Sequence, residues 1–387
     1  MMDRASLTTT LIRSDGKQAQ LPLQPSTFPR SSVLATIHYF PSLGVLLGTT
    51  QTGDDIVFEL PGSVAGDAVG DRVVVYLDQN IWSEIARLRF RPEPGDDIGR
   101  AAVEQLTEWV RERRVLLPAS SGHYLETTKW LNTDRRYELG LTILQLSRGW
   151  QMRHPLEVRH NEIARSLATM TDNPDAADDI FTLRPGALHG PSAVPPYPTP
   201  HDFDADTALK FQSSLSARVH IDLMLDRDPI EPVVDLRWAE VNQEFSTWLD
   251  QQTLDSRQKR KAVDAALLND LQLEIAKAAV NADNASADQV REWWRRNPAQ
   301  RFSKLPALGL YREMYQDRHL NPRTRRTSND LVDMTYLSCG AGYADVIACE
   351  THMGGILRQG LRRLARDTKL TTNLGELISA VRQNLDE

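Results

Sequence analysis

Residues 72–80 read Arg72-Val73-Val74-Val75-Tyr76-Leu77-Asp78-Gln79-Asn80, an apolar run closed by an acid and an amide. A strand that is apolar on both faces has to be covered on both, which is the condition of a parallel strand inside an α/β sheet. Ile81-Trp82-Ser83-Glu84-Ile85-Ala86 follows with helical spacing, so the strand turns directly into a helix. In such sheets the carboxyl ends of the strands face the ligand crevice, and Asp78 stands at that end.

The theme recurs along the chain. Val115-Leu116-Leu117-Pro118-Ala119-Ser120 reads as a second parallel strand, after which Ser120 or Ser121 caps a helix carrying His123 and Glu126, one turn apart on one face. Helices are expected over about Ile81–Leu88, Asp97–Arg113 (with Val103, Leu106 and Val110 on one face) and Arg135–Ser147. Late in the chain Ser328-Asn329 caps a helix from Asp330 to about Cys339, and Gly340-Ala341-Gly342 ends it. Asp345-Val346-Ile347-Ala348-Cys349-Glu350 is then a short strand finishing in an acid. Helices from His352 to Ala365 and Gly375 to Leu385, with an edge strand near Thr368–Thr371, close the chain.

Between these halves, residues 171–206 are acidic and then rich in proline, a composition that excludes a compact element and reads as a surface loop. Helical spacing returns over Trp238–Leu249, Ser256–Val280, Ser286–Arg295 and Lys304–Tyr315. Residues 1–70 mix short apolar stretches with Pro, Gly and Thr, as expected of a small, partly flexible β-rich appendage. The predicted organisation is an α/β core in two parts, 71–150 and 326–387, separated by a mostly helical insertion over 151–325.

No apolar run approaches the roughly 20 residues of a membrane span, and Met1–Gln20 lacks the basic start and apolar segment of a secretory signal. A cytoplasmic protein without a membrane role is expected. Cys339 and Cys349 are too few for a zinc cage without several histidines, and their apolar flanks mark them as reduced core residues. The net charge of −7 argues against coating nucleic acid through bulk charge. The charge is unevenly spread, however, because residues 291–326 hold ten Arg and Lys against three acids, a local +7 that leaves −14 elsewhere.

Asp78 ends one strand, Glu126 lies on the helix after the next, Asp333 is on a late helix and Glu350 ends a late strand. If the strands are parallel neighbours, these acids point at one crevice, and carboxylates are gathered in this way to hold a divalent metal. One or two such ions lower the pKa of a water and clamp a phosphodiester. On these residues the chain resembles the PIN-like domains, a metal-dependent nuclease fold with a Rossmann-like parallel sheet. The matching stretches are Val75–Asn80, Ser120–Glu126, and Asn329–Asp333 leading to Tyr343–Glu350. The resemblance implies Mg²⁺ or Mn²⁺ held by Asp78, Glu126, Asp333 and Glu350, with Asn80 as a polar helper and single-stranded RNA as substrate. Glu350 stands where the family places an Asp.

Each residue also has a plainer role. Asp78 can cap the helix from Ile81, and His123 with Glu126 can be an ordinary helical pair. Asp330 is read as a favourable first-turn acid that competes with Asp333, and Asp345 as a structural acid at the far end of its strand from Glu350. The basic stretch, with Trp293-Trp294 and with Arg295, Arg296, Arg323, Arg325 and Arg326, is either a solvated helix face or a guide for single-stranded RNA. A catalytically inactive PIN-like scaffold, binding RNA or a protein partner through the insertion, is the alternative. A phosphohydrolase with Asp78 as nucleophile is disfavoured by Asn80 at the place of a second Asp.

Overall fold

The computed structural model describes residues 2–3, 6, 8–12, 18–22, 32–40, 42–62, 69–168, 179–190, 203–225, 237–281, 288, 298–321 and 328–386. Its strands are β1 Met2–Asp3, β2 Thr8–Ile12, β3 Gln18–Pro22, β4 Leu34–Phe40, β5 Val45–Thr50, β6 Asp55–Glu59, β7 Val73–Leu77, β8 Val115–Leu116, β9 Gln151–Met152, β10 Phe181–Thr182, β11 Val346–Ala348 and β12 Lys369–Thr371. The helices of the first half are α1 Gln79–Phe90, α2 Asp97–Arg111, α3 Ser121–Thr128, α4 Thr133–Ser147, α5 Pro155–Ala168 and α6 Ala205–Leu225. Those of the second are α7 Arg237–Gln251, α8 Ser256–Asp270, α9 Gln272–Asn281, α10 Pro298–Phe302, α11 Pro306–Leu320, α12 Ser328–Tyr343, α13 Thr351–Arg363 and α14 Leu374–Asp386.

The strand over 73–77 is buried along its whole length, as its two-faced apolar pattern requires. Its first two residues pair in parallel with β8, Val73 with Val115 and Val74 with Leu116. Its last three pair in parallel with β11, Val75 with Val346, Tyr76 with Ile347 and Leu77 with Ala348. With β12 parallel to β11, the order is β12-β11-β7-β8, the parallel α/β sheet expected from the sequence.

The chain divides into two compact units, and this strand passes from one into the other. The first unit is Met1–Val74, Gln79–Arg153 and Phe181–Pro232. Its six-stranded antiparallel sheet, in the order β3-β2-β1-β4-β5-β6, gives the N-terminal region the β-rich character read from its sequence. The sheet is built into the unit rather than appended to it, since α6 packs on β4 and a Cβ on Gly48 of β5 would come within 2.9 Å of Ile221 Cδ1. Glu59, at the end of β6, is the hub of this unit. Its carboxylate accepts from Arg72 Nη1 at 3.0 Å, Arg148 Nε at 2.9 Å and Trp150 Nε1 at 3.2 Å. Burial alone pushes that carboxyl up, but the hydrogen bonds from Arg148 and Arg72 outweigh it and hold the group below the usual carboxylate range.

The second unit is Val75–Asp78, His154–Ile180 and Val233–Glu387. Its centre is α11, buried on nearly every side and packed by α5, α8, α12 and α13. Pro306 at its first turn sets where it starts. Glu162 of α5 caps it from outside, Oε1 accepting from Ala307 N at 2.7 Å and Oε2 from Leu308 N at 2.8 Å. Tyr343 donates its hydroxyl to the same carboxylate at 2.7 Å. Burial nevertheless raises the Glu162 pKa above its ordinary value.

Several sequence expectations change here. Gly340-Ala341-Gly342 does not end a helix, because α12 runs through it to Tyr343. These glycines serve close packing instead, since a Cβ on Gly340 would lie 2.5 Å from Tyr76 Cδ1 and one on Gly342 would lie 2.8 Å from Ala307 N. The helix expected over Ser256–Val280 is two, α8 and α9, parted at Leu271 just after Asn269-Asp270, residues whose short polar side chains compete for backbone bonds. The helices α5 and α6 lie where none was expected. The helix expected over Ser286–Arg295 lies outside the described residues apart from residue 288, and the proline-rich loop is described only in part. Among the described residues no helix is long and apolar enough to cross a membrane.

Glycine substitutions in two helices should have opposite signs. Gly340→Ala should lose about 1–3 kcal/mol by overpacking against the Tyr76 ring, more than a gain in helix propensity of about 1 kcal/mol returns. Gly355→Ala, in α13 with nothing within 4 Å of the new methyl, should gain up to about 1 kcal/mol. Urea midpoints at unchanged m-value check both.

Candidate functional site

The register of β7 and β11 fixes the site's floor. Asp78 N–H donates to Ala348 O at 2.8 Å, continuing the ladder one step past Leu77, and Cys349 N–H donates to Thr371 O at 3.2 Å. Asp78 and Cys349 therefore leave adjacent strands at the same level, about 4.8 Å apart in a parallel sheet. Glu350 follows as the N-cap residue of α13, exposed where Asp78 is half-buried.

Asp333 arrives from above. The chain passes from α12 to β11 through Ala344 and Asp345 alone, so the helix runs back over the sheet and its N-terminal half lies toward the strands' carboxyl ends. Gly340 marks the face of α12 that rests on Tyr76, and Asp333, two helical turns earlier, shares that face. Cys349 reports the convergence. Its buried thiol is pushed up to about 12, first by burial and then by the negative charge of Asp78, Glu350 and Asp333, with Arg358 acting in the opposite sense. Three of the predicted acids thus lie within electrostatic range of one buried sulfur in the second unit. The side chains as placed are not closed on a point, for among the described residues no three His, Cys, Asp or Glu side chains are grouped to hold one ion.

Glu126 belongs to the first unit, half-buried on α3. Ser120 is the N-cap, settling the choice between the two serines. The Ser120 backbone N–H donates to His123 Nδ1 at 3.0 Å and the His123 N–H donates to Ser120 Oγ at 3.4 Å, a capping box with His in the place usually held by Glu or Gln. His123 is buried and stands edge-on to Trp82 at 6.1 Å, so its role is structural. Gln79, the residue after Asp78, donates from Nε2 to Thr127 Oγ1 at 3.0 Å, tying the start of α1 to the residue beside Glu126. Asn80 is exposed at the start of α1.

The supporting acids separate. Asp330 is buried and ion-paired with Arg318, itself buried, whose Nη1 lies 3.1 Å from His352 Nε2. Asp330 therefore serves the fold. Asp345 is exposed, and its backbone carbonyl accepts from Lys369 N at 2.9 Å. The basic stretch is partly reassigned, because two of its cations are internal. Besides Arg318, Arg312 makes a two-pronged pair with Asp264, both bonds at 2.8 Å, and a third with Glu313 at 2.8 Å. Arg295, Arg296, Arg323, Arg325 and Arg326, with Trp293 and Trp294, lie outside the described residues. Both cysteines are free and buried, as expected.

No family model matches the chain, and no curated protein or solved structure matches it either.

The structural and site acids should part in a stability measurement. Asp330→Asn leaves a buried arginine charge without its carboxylate and should cost about 3 kcal/mol or more. Asp333→Asn, at a half-buried position, should cost clearly less than Asp330→Asn. Thermal unfolding of the two variants beside the parent gives the comparison.

Proposed function

We propose that the chain is a PIN-like, metal-dependent ribonuclease acting on single-stranded RNA at the carboxyl ends of β7 and β11. The observation that supports this reading is the register that sets Asp78 level with Cys349 and one residue short of Glu350, at the end of a parallel sheet where α/β folds bind ligands. The donor chemistry suits Mg²⁺ or Mn²⁺, since hard oxygen ligands and no thiolate are offered.

On this reading Asp78, Asp333 and Glu350 would hold the ion. Bound there, the ion would supply Lewis acidity toward a phosphoryl oxygen and an acidified water. The sheet holds Asp78 by its backbone bond to Ala348, and Gly340 brings α12 close enough for Asp333 to take part. Glu126 is the fourth acid of the resemblance and is to be tested by substitution with the others. The second reading is a catalytically inactive PIN-like scaffold that binds RNA or a protein partner.

Asp78→Asn keeps the side chain's shape and removes its charge. It should abolish Mn²⁺-dependent cleavage of a single-stranded RNA while leaving the unfolding transition in place, and chelator should do the same to the parent protein. Cleavage that persists in chelator, or equal activity in the variant, overturns the reading. Mn²⁺ should also raise the melting temperature of the parent by mass action, and do so much less in an Asp78→Asn, Asp333→Asn double variant. Equal shifts would place the ion elsewhere.

A further inference from the structure

We infer that the first unit holds a hydration site, in which one ordered water bridges Ser216 of α6 and Gln151 of β9 beside the ring of His220. Ser213, Ser216 and His220 recur at helical spacing along α6, and all three are buried although none is apolar. That face meets Phe58 and Glu59 at the end of β6, and Gln151, across a small cavity. The space measures about 10 Å³, at the lower limit of what a single water occupies.

Two polar atoms of residues that line it explain what fills it. Ser216 Oγ and Gln151 Oε1 are buried and make no hydrogen bond among the described residues. Ser213 is satisfied within its helix, its hydroxyl donating to Leu209 O at 2.8 Å. Glu59 is committed to Arg72, Arg148 and Trp150. Stranding a buried hydroxyl and a buried amide oxygen is costly, and native proteins almost always satisfy such groups. Gln151 Oε1 can only accept, so the occupant donates to it. Ser216 Oγ either donates or accepts, and a water can meet both requirements at once. His220, buried and held neutral by the desolvation of its ring, offers one nitrogen as donor and one as acceptor at any ordinary pH. An anion is disfavoured because Gln151 Oε1 only accepts and would face it without a proton to share. A larger ligand does not fit.

The site joins α6 to the strands that Glu59 organises, so its water belongs to the packing of the unit. Ser216→Val decides between a wet and a dry cavity by sign. If the cavity is dry, added methyls fill it and remove an unpaired hydroxyl, and the folding constant rises. If water occupies it, valine expels the water and strands Gln151 Oε1, and the folding constant falls about tenfold or more (1.4 kcal/mol per tenfold). Overpacking would also lower it, so the double variant Ser216→Val, Gln151→Met is measured alongside. With the stranded acceptor gone, the double variant should recover most of the loss if the water is real. Magnetic relaxation dispersion of water oxygen-17 should register one long-lived internal water fewer in Ser216→Val than in the parent. A rise or no change in stability for Ser216→Val, a double variant as weak as the single one, or an unchanged count of long-lived waters would overturn the assignment.

Discussion

The hydrogen bond from Asp78 N–H to Ala348 O is the point on which the candidate site depends. It extends the pairing of Val75, Tyr76 and Leu77 with Val346, Ile347 and Ala348 by one residue, and so sets Asp78 level with Cys349. Side chains alternate along a strand, so a slip of one residue would place a different neighbour beside Asp78 and move Glu350 along the sheet. What prevents the slip is burial. β7 is covered on both faces, and Gly340 of α12 fits against the Tyr76 ring at a distance no larger residue allows. One close contact thus locks the helix that carries Asp333 onto the strand that carries Asp78.

Charge in this protein falls into two kinds. Glu59, Asp264, Arg312, Arg318 and Asp330 are buried and paired, as the cost of isolating an ion away from water demands. Such pairs add little net stability compared with apolar packing, but removing one partner is severe, and they fix which elements meet. Glu162 does similar work with a helix end, satisfying two backbone N–H groups of α11 that no residue of that helix can reach. The acids at the strand ends differ in setting, because Asp78, Glu350 and Asp333 all act electrostatically on the one buried Cys349 thiol. That contrast, rather than the number of acids, distinguishes a candidate site from the fold's own ionic scaffolding.

Much of the framework was legible in local pattern. The Val73–Leu77 run could only be a strand covered on both faces, the helix after it followed from spacing, and a cap at Ser120 or Ser121 was legible although only the structure chose Ser120. Other elements gave misleading signals. α6 buries Ser213, Ser216 and His220 along with its apolar residues, so its inner face does not read as hydrophobic. Gly340 and Gly342 look like a helix stop, and only the nearness of Tyr76 and Ala307 shows that they admit neighbours.

The sequence by itself determined the strand–helix alternation, the position of Asp78 and Glu350 at strand ends, and the burial of both cysteines, because each follows from periodicity or composition within a few residues. Tertiary structure alone decided that β7 and β11 are neighbours, that Asp330 pairs with Arg318, and that Arg312 faces Asp264 rather than solvent. The reason is range. A strand's two faces are written in adjacent residues, whereas the partner of a charge 48 positions away is set by how helices pack.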